Sequence, residues 1–353
     1  MGQAAAVAAA AVWAISVVLT ASQSSKLDFL SLSTLRLVTA TIFFLVILLP
    51  LGADADIGRM SFNDIWQLVG TGVLNLAIGD TLYIGAIVLL GVNFAYTVSL
   101  GLFALFSFVL SVIFLDETVA LQTILGSLLV LGGIYVVALY GRGADQESTA
   151  TDSTTDSTAV AAVGDPASAL PTGPPLVQGA VIVVADGPAT TLPEPDLATA
   201  LTDSLRERIP GGVFGGLVLL VLAALCWAAG TVWMRDVADG FDATAVGVMR
   251  IPSAMITLAA IALLTPSSAL RRRSVPLSSG WALAIAGVTG AGIGSLLFIV
   301  AVQEIGAGET AVLSSLSPLF ALPLAAVVLG ERITPWLLVG VSIALAGIIL
   351  LSV

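Results

Sequence analysis

Histidine is absent from this 353-residue chain, cysteine occurs once, at Cys226, and lysine once, at Lys26. Without imidazole, any proton relay must run on carboxylates, and zinc lacks its usual ligands. A single thiol excludes an intrachain disulfide and a cysteine-held metal cluster. Charge is scarce as well: 10% of the residues are charged, against about 25% in a typical soluble domain. That is too few to wet the surface of a water-soluble fold of this size. No Gly-x-x-x-x-Gly-Lys-Ser/Thr run occurs, so direct ATP drive from this chain is not expected. The N-terminus does not read as a cleaved signal, because no positive charge precedes the first apolar run and no clear processing site ends it. Met-Gly-Gln-Ala-Ala-Ala also lacks the Ser or Thr of a myristoylation signal. No cofactor and no metal are expected.

What the chain has in abundance is apolar length. Hydrophobic residues make up 58% of it, and its mean hydropathy is +1.08. Runs of about 20 apolar residues recur, the length a helix needs to cross a hydrocarbon core of about 30 Å. A bilayer tolerates only helices or closed barrels, and barrel strands alternate apolar and polar residues. Runs such as Ile42–Leu49 and Ile343–Leu351 are continuous instead. The expected fold class is an all-α membrane protein with ten transmembrane helices, at roughly 4–22, 29–51, 65–90, 93–115, 120–140, 212–234, 242–265, 278–303, 309–329 and 334–353. Residues 141–210 are of different material, rich in Ala, Ser, Thr, Pro and Asp. They cannot bury enough apolar surface to offset their ordering entropy and read as a disordered acidic linker. Within them only Leu176–Ala185 is apolar enough for a local strand or a contact with the membrane surface. The formal charge is −11, an acidic, lysine-poor balance like that of proteins from salt-loving microbes, where salt screens the self-repulsion.

The two halves repeat. At one constant offset, Ala9, Trp13, Ala14, Asp28, Arg36 and Ala40 fall on Ala223, Trp227, Ala228, Asp242, Arg250 and Ala254. With one residue gained in the next connection, Trp66, Gly72, Gly79, Leu82 and Ser99 fall on Trp281, Gly287, Gly294, Leu297 and Ser314. The first offset then returns for Glu117, Gly126 and Gly133 on Glu331, Gly340 and Gly347. The organisation expected is a five-helix repeat over 1–140, the linker, and a second repeat over 211–353. A repeat that crosses the membrane an odd number of times places its copy in the opposite sense. Inverted halves of that kind can exchange conformations to open first one side and then the other.

The Trp-containing first span of each half, the Arg early in the second, and the Gly330–Pro335 run before a Gly-rich last span resemble EamA-type members of the drug/metabolite transporter superfamily. Ile305-Gly306-Ala307-Gly308 followed by Ser314-Ser315-Leu316-Ser317-Pro318-Leu319-Phe320 is similar to that family's ninth span. The resemblance covers both halves and implies a ten-helix fold around a central cavity that moves small metabolites. The fourth span departs from it, with no proline where the ninth has Pro318 and Pro323. The resemblance implies internal termini, whereas the distribution of Lys and Arg over the loops favours an external N-terminus.

Asp80 is the sharpest candidate for chemistry. A carboxylate at mid-membrane depth costs about 3 kcal/mol even on the lenient insertion scale, so it should face a cavity, a bound cation or a partner charge. It would suit proton binding and release; the structural alternative pairs it with Arg36 or a helix end. Arg36 and Arg250 occupy matching places and read either as forks for an anionic substrate group or as interfacial and paired arginines. Glu304 and Glu309 flank the turn between the eighth and ninth spans, where solvated helix ends compete with a binding role. Trp13 and Trp227 lie mid-span, away from the interfaces where tryptophan usually collects, and either line the cavity or pack helices. Tyr83, Asn93 and Phe298 are weaker cavity candidates. The glycine spacings Gly126…Gly132-Gly133 and Gly340…Gly347 read as helix packing.

The reading expected from these residues is a secondary transporter of a small metabolite or drug-like solute in the cell membrane, coupled to protons through Asp80 if to any ion, with plain exchange or facilitated diffusion as the alternatives. Its partners are that solute and the lipid bilayer; a homodimer is compatible with the pattern and no nucleic acid is expected. An intramembrane enzyme would need a nucleophile–base pair or metal ligands at depth, which this composition hardly supplies. A membrane sensor using the acidic linker to bind a partner is the other alternative, and deleting 145–205 separates it from a carrier, which should keep its flux.

Overall fold

The computed structural model describes residues 1–21, 23, 27–90, 92–115, 121–140, 212–266, 268–272, 277–321, 324 and 335–351. The 141–210 linker with its Leu176–Ala185 stretch, Glu117, Glu331, Pro323 and most of the Gly330–Pro335 run lie outside these residues.

Every regular element among the described residues is helical. The first part comprises α1 (Gly2–Ala21), α2 (Phe29–Leu48), the short α3 (Asp54–Arg59), α4 (Phe62–Gly72), α5 (Asp80–Leu90), α6 (Val92–Phe114) and α7 (Leu121–Tyr140). A π-helical segment, Val73–Gly79, joins α4 to α5. The second part comprises α8 (Gly212–Val237), α9 (Ala243–Leu264), the short α10 (Ala269–Arg272), α11 (Leu277–Ala286), α12 (Ser295–Ile305), α13 (Ala307–Ser314) and α14 (Pro335–Leu351). Another π-helical segment, Gly287–Gly294, joins α11 to α12. Among the described residues, six continuous helices are long and apolar enough to cross a membrane: Gly2–Thr20, Leu30–Leu48, Phe62–Ile87, Gly212–Val237, Ala243–Leu264 and Ser279–Ile305. The chain is thus a multi-pass helical membrane protein.

Local chemistry sets the helix ends. Asp28 caps α2 through Ser31 N–H, and Asp242 caps α9 through Thr244 N–H; each side-chain oxygen satisfies one of the orphan donors at a helix start. Ser61 and Asp64 form a reciprocal capping box on α4. Between α12 and α13 the chain reverses at Gly306, whose φ of 84° lies in the region that favours glycine. The ninth span differs from the continuous helix expected over 309–329. Helix α13 ends at Ser314, the chain turns at Ser315 and Leu316, and helical geometry resumes at 317–321. Pro318 accounts for the break, since it has no N–H to bond the Ser314 carbonyl and its ring crowds that carbonyl.

Small residues decide which helices meet, as they do where lipid removes the hydrophobic drive between helices and close van der Waals contact must replace it. On α1, Ala6, Ala9, Ala10 and Ala14 are fully buried, and this face packs on α12 and the Gly287–Gly294 segment. Its counterpart α8 buries Ala223, Ala224 and Ala228 and packs on α4, α5, α6 and the Val73–Gly79 segment. Helix α2 lies against α9, α6 against α13, and α7 against α14. At the last pair, a Cβ on Gly133 would stand 2.5 Å from Gly340 O, and one on Gly347 would stand 2.7 Å from Gly126 O. Gly132 meets nothing within 4 Å, so it plays no part in that close approach.

Candidate functional site

The site forms where the π-helical turns cross the tryptophan-bearing helices. A π segment widens one turn of an otherwise regular helix and re-aims the side chains beyond it. Val73–Gly79 does this immediately before Asp80, the first residue of α5. The Asp80 carboxylate accepts a hydrogen bond of 3.0 Å at Oδ1 from Trp227 Nε1 on α8. Tyr83, one turn further on the same face, packs tilted against the Trp227 ring with centroids 5.1 Å apart. Phe103 of α6 meets that indole edge-on at 6.3 Å. Asn75, within the π segment, holds the backbone of the same tryptophan: its Nδ2 donates to Trp227 O at 2.9 Å and to Thr231 Oγ1 at 3.3 Å.

Arg36 supplies the opposite charge. Its guanidinium lies within electrostatic reach of the Asp80 carboxylate. The guanidinium also reaches the second π segment, since a Cβ built on Gly290 would stand 3.5 Å from Arg36 Nη2. Trp13 Nε1 donates to Gly290 O at 3.0 Å, and its ring packs on Phe298 with centroids 5.3 Å apart. Asp80, Arg36, Trp13, Trp227 and Tyr83 are half-buried, and Phe298 is buried. The result is a carboxylate and a guanidinium framed by aromatic rings from both parts of the chain, an arrangement able to hold a polar or zwitterionic solute with an apolar body.

The tryptophan arrangements match, but their partners differ. A Cβ on Gly79 would stand 2.5 Å from Trp227 Cδ1, and one on Gly294 would stand 2.5 Å from Trp13 Cδ1. Trp227 nevertheless donates to a carboxylate and Trp13 to a backbone carbonyl, because Ser295 stands where the first part has Asp80.

Other candidates lie elsewhere. Arg250 is buried, and its Nε donates to Thr71 Oγ1 at 3.0 Å. Thr71 lies about 13 Å from Asp80 along the helix at 1.5 Å per residue. Glu304 pairs with the Met1 ammonium at 3.4 Å, and Glu309 accepts from Gln3 Nε2 at 2.8 Å, both at the start of α1 rather than beside Trp13. Asn93 belongs to α6, but its side chain lies outside the described residues. Sequence reading missed Asn75, Thr71, Thr231 and Phe103. A polar Asn five residues before Asp80 was the available signal for the first.

A half-buried carboxylate and guanidinium among aromatics lie at the junction of apolar helices in this multi-pass helical membrane protein. The sequence pattern of the EamA-like transporter family matches residues 1–139 and 214–353. The chain belongs to that family, which places it among membrane transporters of small solutes and outside the enzymes. A "Probable terminal-alkyne amino-acid exporter" of Streptantibioticus cattleyicolor is 29% identical over 134 residues, 38% of this chain and 43% of that protein. The match thus spans less than half of that relative's length. A solved crystal structure superposes with a TM-score of 0.66 at 16% identity, over 99% of this chain and 96% of the other; at that identity the likeness is one of fold alone.

Proposed function

We propose that this protein is a secondary transporter of the cell membrane, carrying a small metabolite by alternating access between two inverted five-helix repeats, 1–140 and 211–353. The observation that carries the reading is the Trp227–Asp80 hydrogen bond, which ties an intramembrane carboxylate of the first repeat to the second repeat. Reciprocal packing supports the inversion. Trp13 sits on Gly294 and Trp227 on Gly79; Gly287 lies against Arg36 and Gly72 against Arg250; Gly347 lies on Gly126 and Gly133 on Gly340. Each pair is the image of the other under the sequence repeat, so a two-fold operation relates them.

The solute binds between Arg36 and Asp80, its apolar part against Trp13, Trp227 and Tyr83. An amino acid satisfies this geometry, with its carboxylate on the guanidinium fork and its ammonium on Asp80. The exporter relative's name favours the same class. Asp80 also carries the coupling proton, taken up when the solute leaves. Counterflow in proteoliposomes at high salt, with labelled apolar amino acids beside nucleosides, sugar phosphates and lipophilic cations, tests the reading. Exchange of an amino acid supports it. Absence of exchange for every compound, from a folded and inserted preparation, refutes the substrate class. Unchanged gradient-driven flux in Asp80→Asn refutes coupling through Asp80.

A further inference from the structure

Helices α2 and α9 pack against each other in opposite directions, and polar contacts join them at both ends. Beyond the start of α2, Asp28 Oδ2 accepts from Ala269 N–H at 2.7 Å, just past the end of α9. Ser31 reinforces this end: its Oγ lies 3.0 Å from Ser268 Oγ and accepts from Leu270 N–H at 3.1 Å. Beyond the end of α2, Asp56 on α3 accepts the Asp242 N–H at 2.6 Å, at the start of α9. Asp56 also pairs with Arg59 on its own helix. The Asp242 loop is fixed from its other side by Gln303, whose Nε2 donates to Ala238 O and Phe241 O at 2.9 Å each. Helix α2 has 20 residues, about 30 Å of length, so these contacts sit at opposite faces of a bilayer.

The sequence repeat sets Asp28 opposite Asp242, and α3 opposite α10. Under strict symmetry both contacts would run from a cap aspartate to a short helix. At the α10 end they do. At the α3 end the polarity is reversed, with the short helix supplying the carboxylate and the cap residue the N–H. Both carboxylates therefore come from the first repeat, and each holds a backbone N–H of the second. Relative motion of the repeats must break the contacts at whichever face opens, while the other face keeps its own.

We infer that Asp28 and Asp56 are the two gate latches of this carrier, one at each membrane face, and that release of one accompanies retention of the other. The inference rests on the alternating-access reading above but on different residues, and neither latch touches the Asp80 site. Side chains rather than backbone supply the acceptors, so each latch is removable by substitution. Losing a charge-assisted hydrogen bond shifts such an equilibrium by about tenfold or more.

Two measurements test it. Cys226 neighbours the site, with its Cβ 3.5 Å from a Cβ built on Gly79, and as the lone native thiol it reports access. Reconstituted protein is exposed to a membrane-impermeant sulfonated maleimide from either side. Asp56→Ala should raise labelling of Cys226 from the α3 face about tenfold and lower it from the other. Asp56→Asn, whose amide oxygen still accepts the N–H but without the charge, should fall between the parent and Asp56→Ala. In a second variant, Ser31→Cys with Ser268→Cys, the short Oγ–Oγ distance favours a disulfide that shuts the α10 face. Oxidation should then abolish labelling of Cys226 from that face, preserve it from the α3 face and stop counterflow, with full recovery on reduction. Equal labelling changes from both faces in Asp56→Ala, or none from either, overturn the latch. So does a fully crosslinked protein that still exchanges solute, a result that leaves the transport reading standing. Face-specific labelling in a protein that exchanges none of the solutes keeps the latch and discards the substrate class.

Discussion

Trp227 Nε1 lies 3.0 Å from Asp80 Oδ1, and this hydrogen bond joins the second part of the chain to the first at the depth where an unpaired carboxylate is most costly. Trp227→Phe keeps the ring that Tyr83 and Phe103 pack against but deletes the donor. A hydrogen bond to a charged group is worth about 1.5–3 kcal/mol, so exchange in proteoliposomes should fall by about tenfold or more. Trp13→Phe removes only a bond to the Gly290 carbonyl, a neutral pair worth about 1 kcal/mol, and should cost about fivefold. Equal losses in the two variants would show that the indoles act only as packing.

Gly79 and Gly294 should tolerate no side chain. An added Cβ would approach the Trp227 and Trp13 indoles to 2.5 Å, and overpacking of this kind costs about 1–3 kcal/mol. Thermal unfolding in detergent should show Gly79→Ala and Gly294→Ala well below the parent. Gly132→Ala, which meets open space, should change stability little. A Gly79→Ala protein as stable as Gly132→Ala would mean that α5 and α8 can separate without loss.

Much of this was legible in the sequence. Composition and run length fixed the helical membrane class, and the matched Trp, Arg and Gly positions revealed the internal repeat, though not which helices meet. Asp80 stood out because its depth makes a carboxylate expensive, and Arg36 was named beside it only in the structural alternative. The π-helical turns were not legible: no local periodicity encodes them, and the glycines at or beside their ends, Gly72, Gly79, Gly287 and Gly294, lie against neighbours distant in sequence. Asn75 escaped notice for the same reason, since its partner is a backbone carbonyl of Trp227. The polar contacts at the ends of α2 were hidden too, because Asp28 reads as an ordinary helix cap until Ala269 is seen to share it.

Thr71 should matter through Arg250. The buried guanidinium donates from Nε to Thr71 Oγ1 at 3.0 Å, and Thr71→Val removes that acceptor while keeping the shape. A buried charged donor stripped of its partner costs about 1.5–3 kcal/mol or more. Chemical or thermal unfolding should therefore reveal a loss of that order, and Thr71→Ser, which retains the hydroxyl, should recover most of it. A Val variant as stable as the Ser variant would show that Arg250 finds an equivalent acceptor.

The contact between Asp56 and Asp242 should carry a pH signature. The Asp242 N–H holds the Asp56 carboxyl below its ordinary value of 3.8, and Arg59 on the same helix adds to this against partial desolvation. A carboxyl lowered on folding stabilises the folded state above its unfolded value, and that contribution is lost as pH falls through the lower folded value. Asp56→Asn keeps an acceptor for the N–H but has no charge to titrate. The stability difference between parent and Asp56→Asn, followed by thermal unfolding, should stay constant from neutral pH to about pH 5. It should then shrink as the solution passes below 3.8. The facing group from α9 is the Asp242 backbone rather than its carboxylate, which is engaged with Thr244 N–H, so Asp56 is the residue whose protonation decides the outcome. A difference that stays flat through this range would mean that the ionised carboxylate adds nothing to a hydrogen bond any acceptor can make.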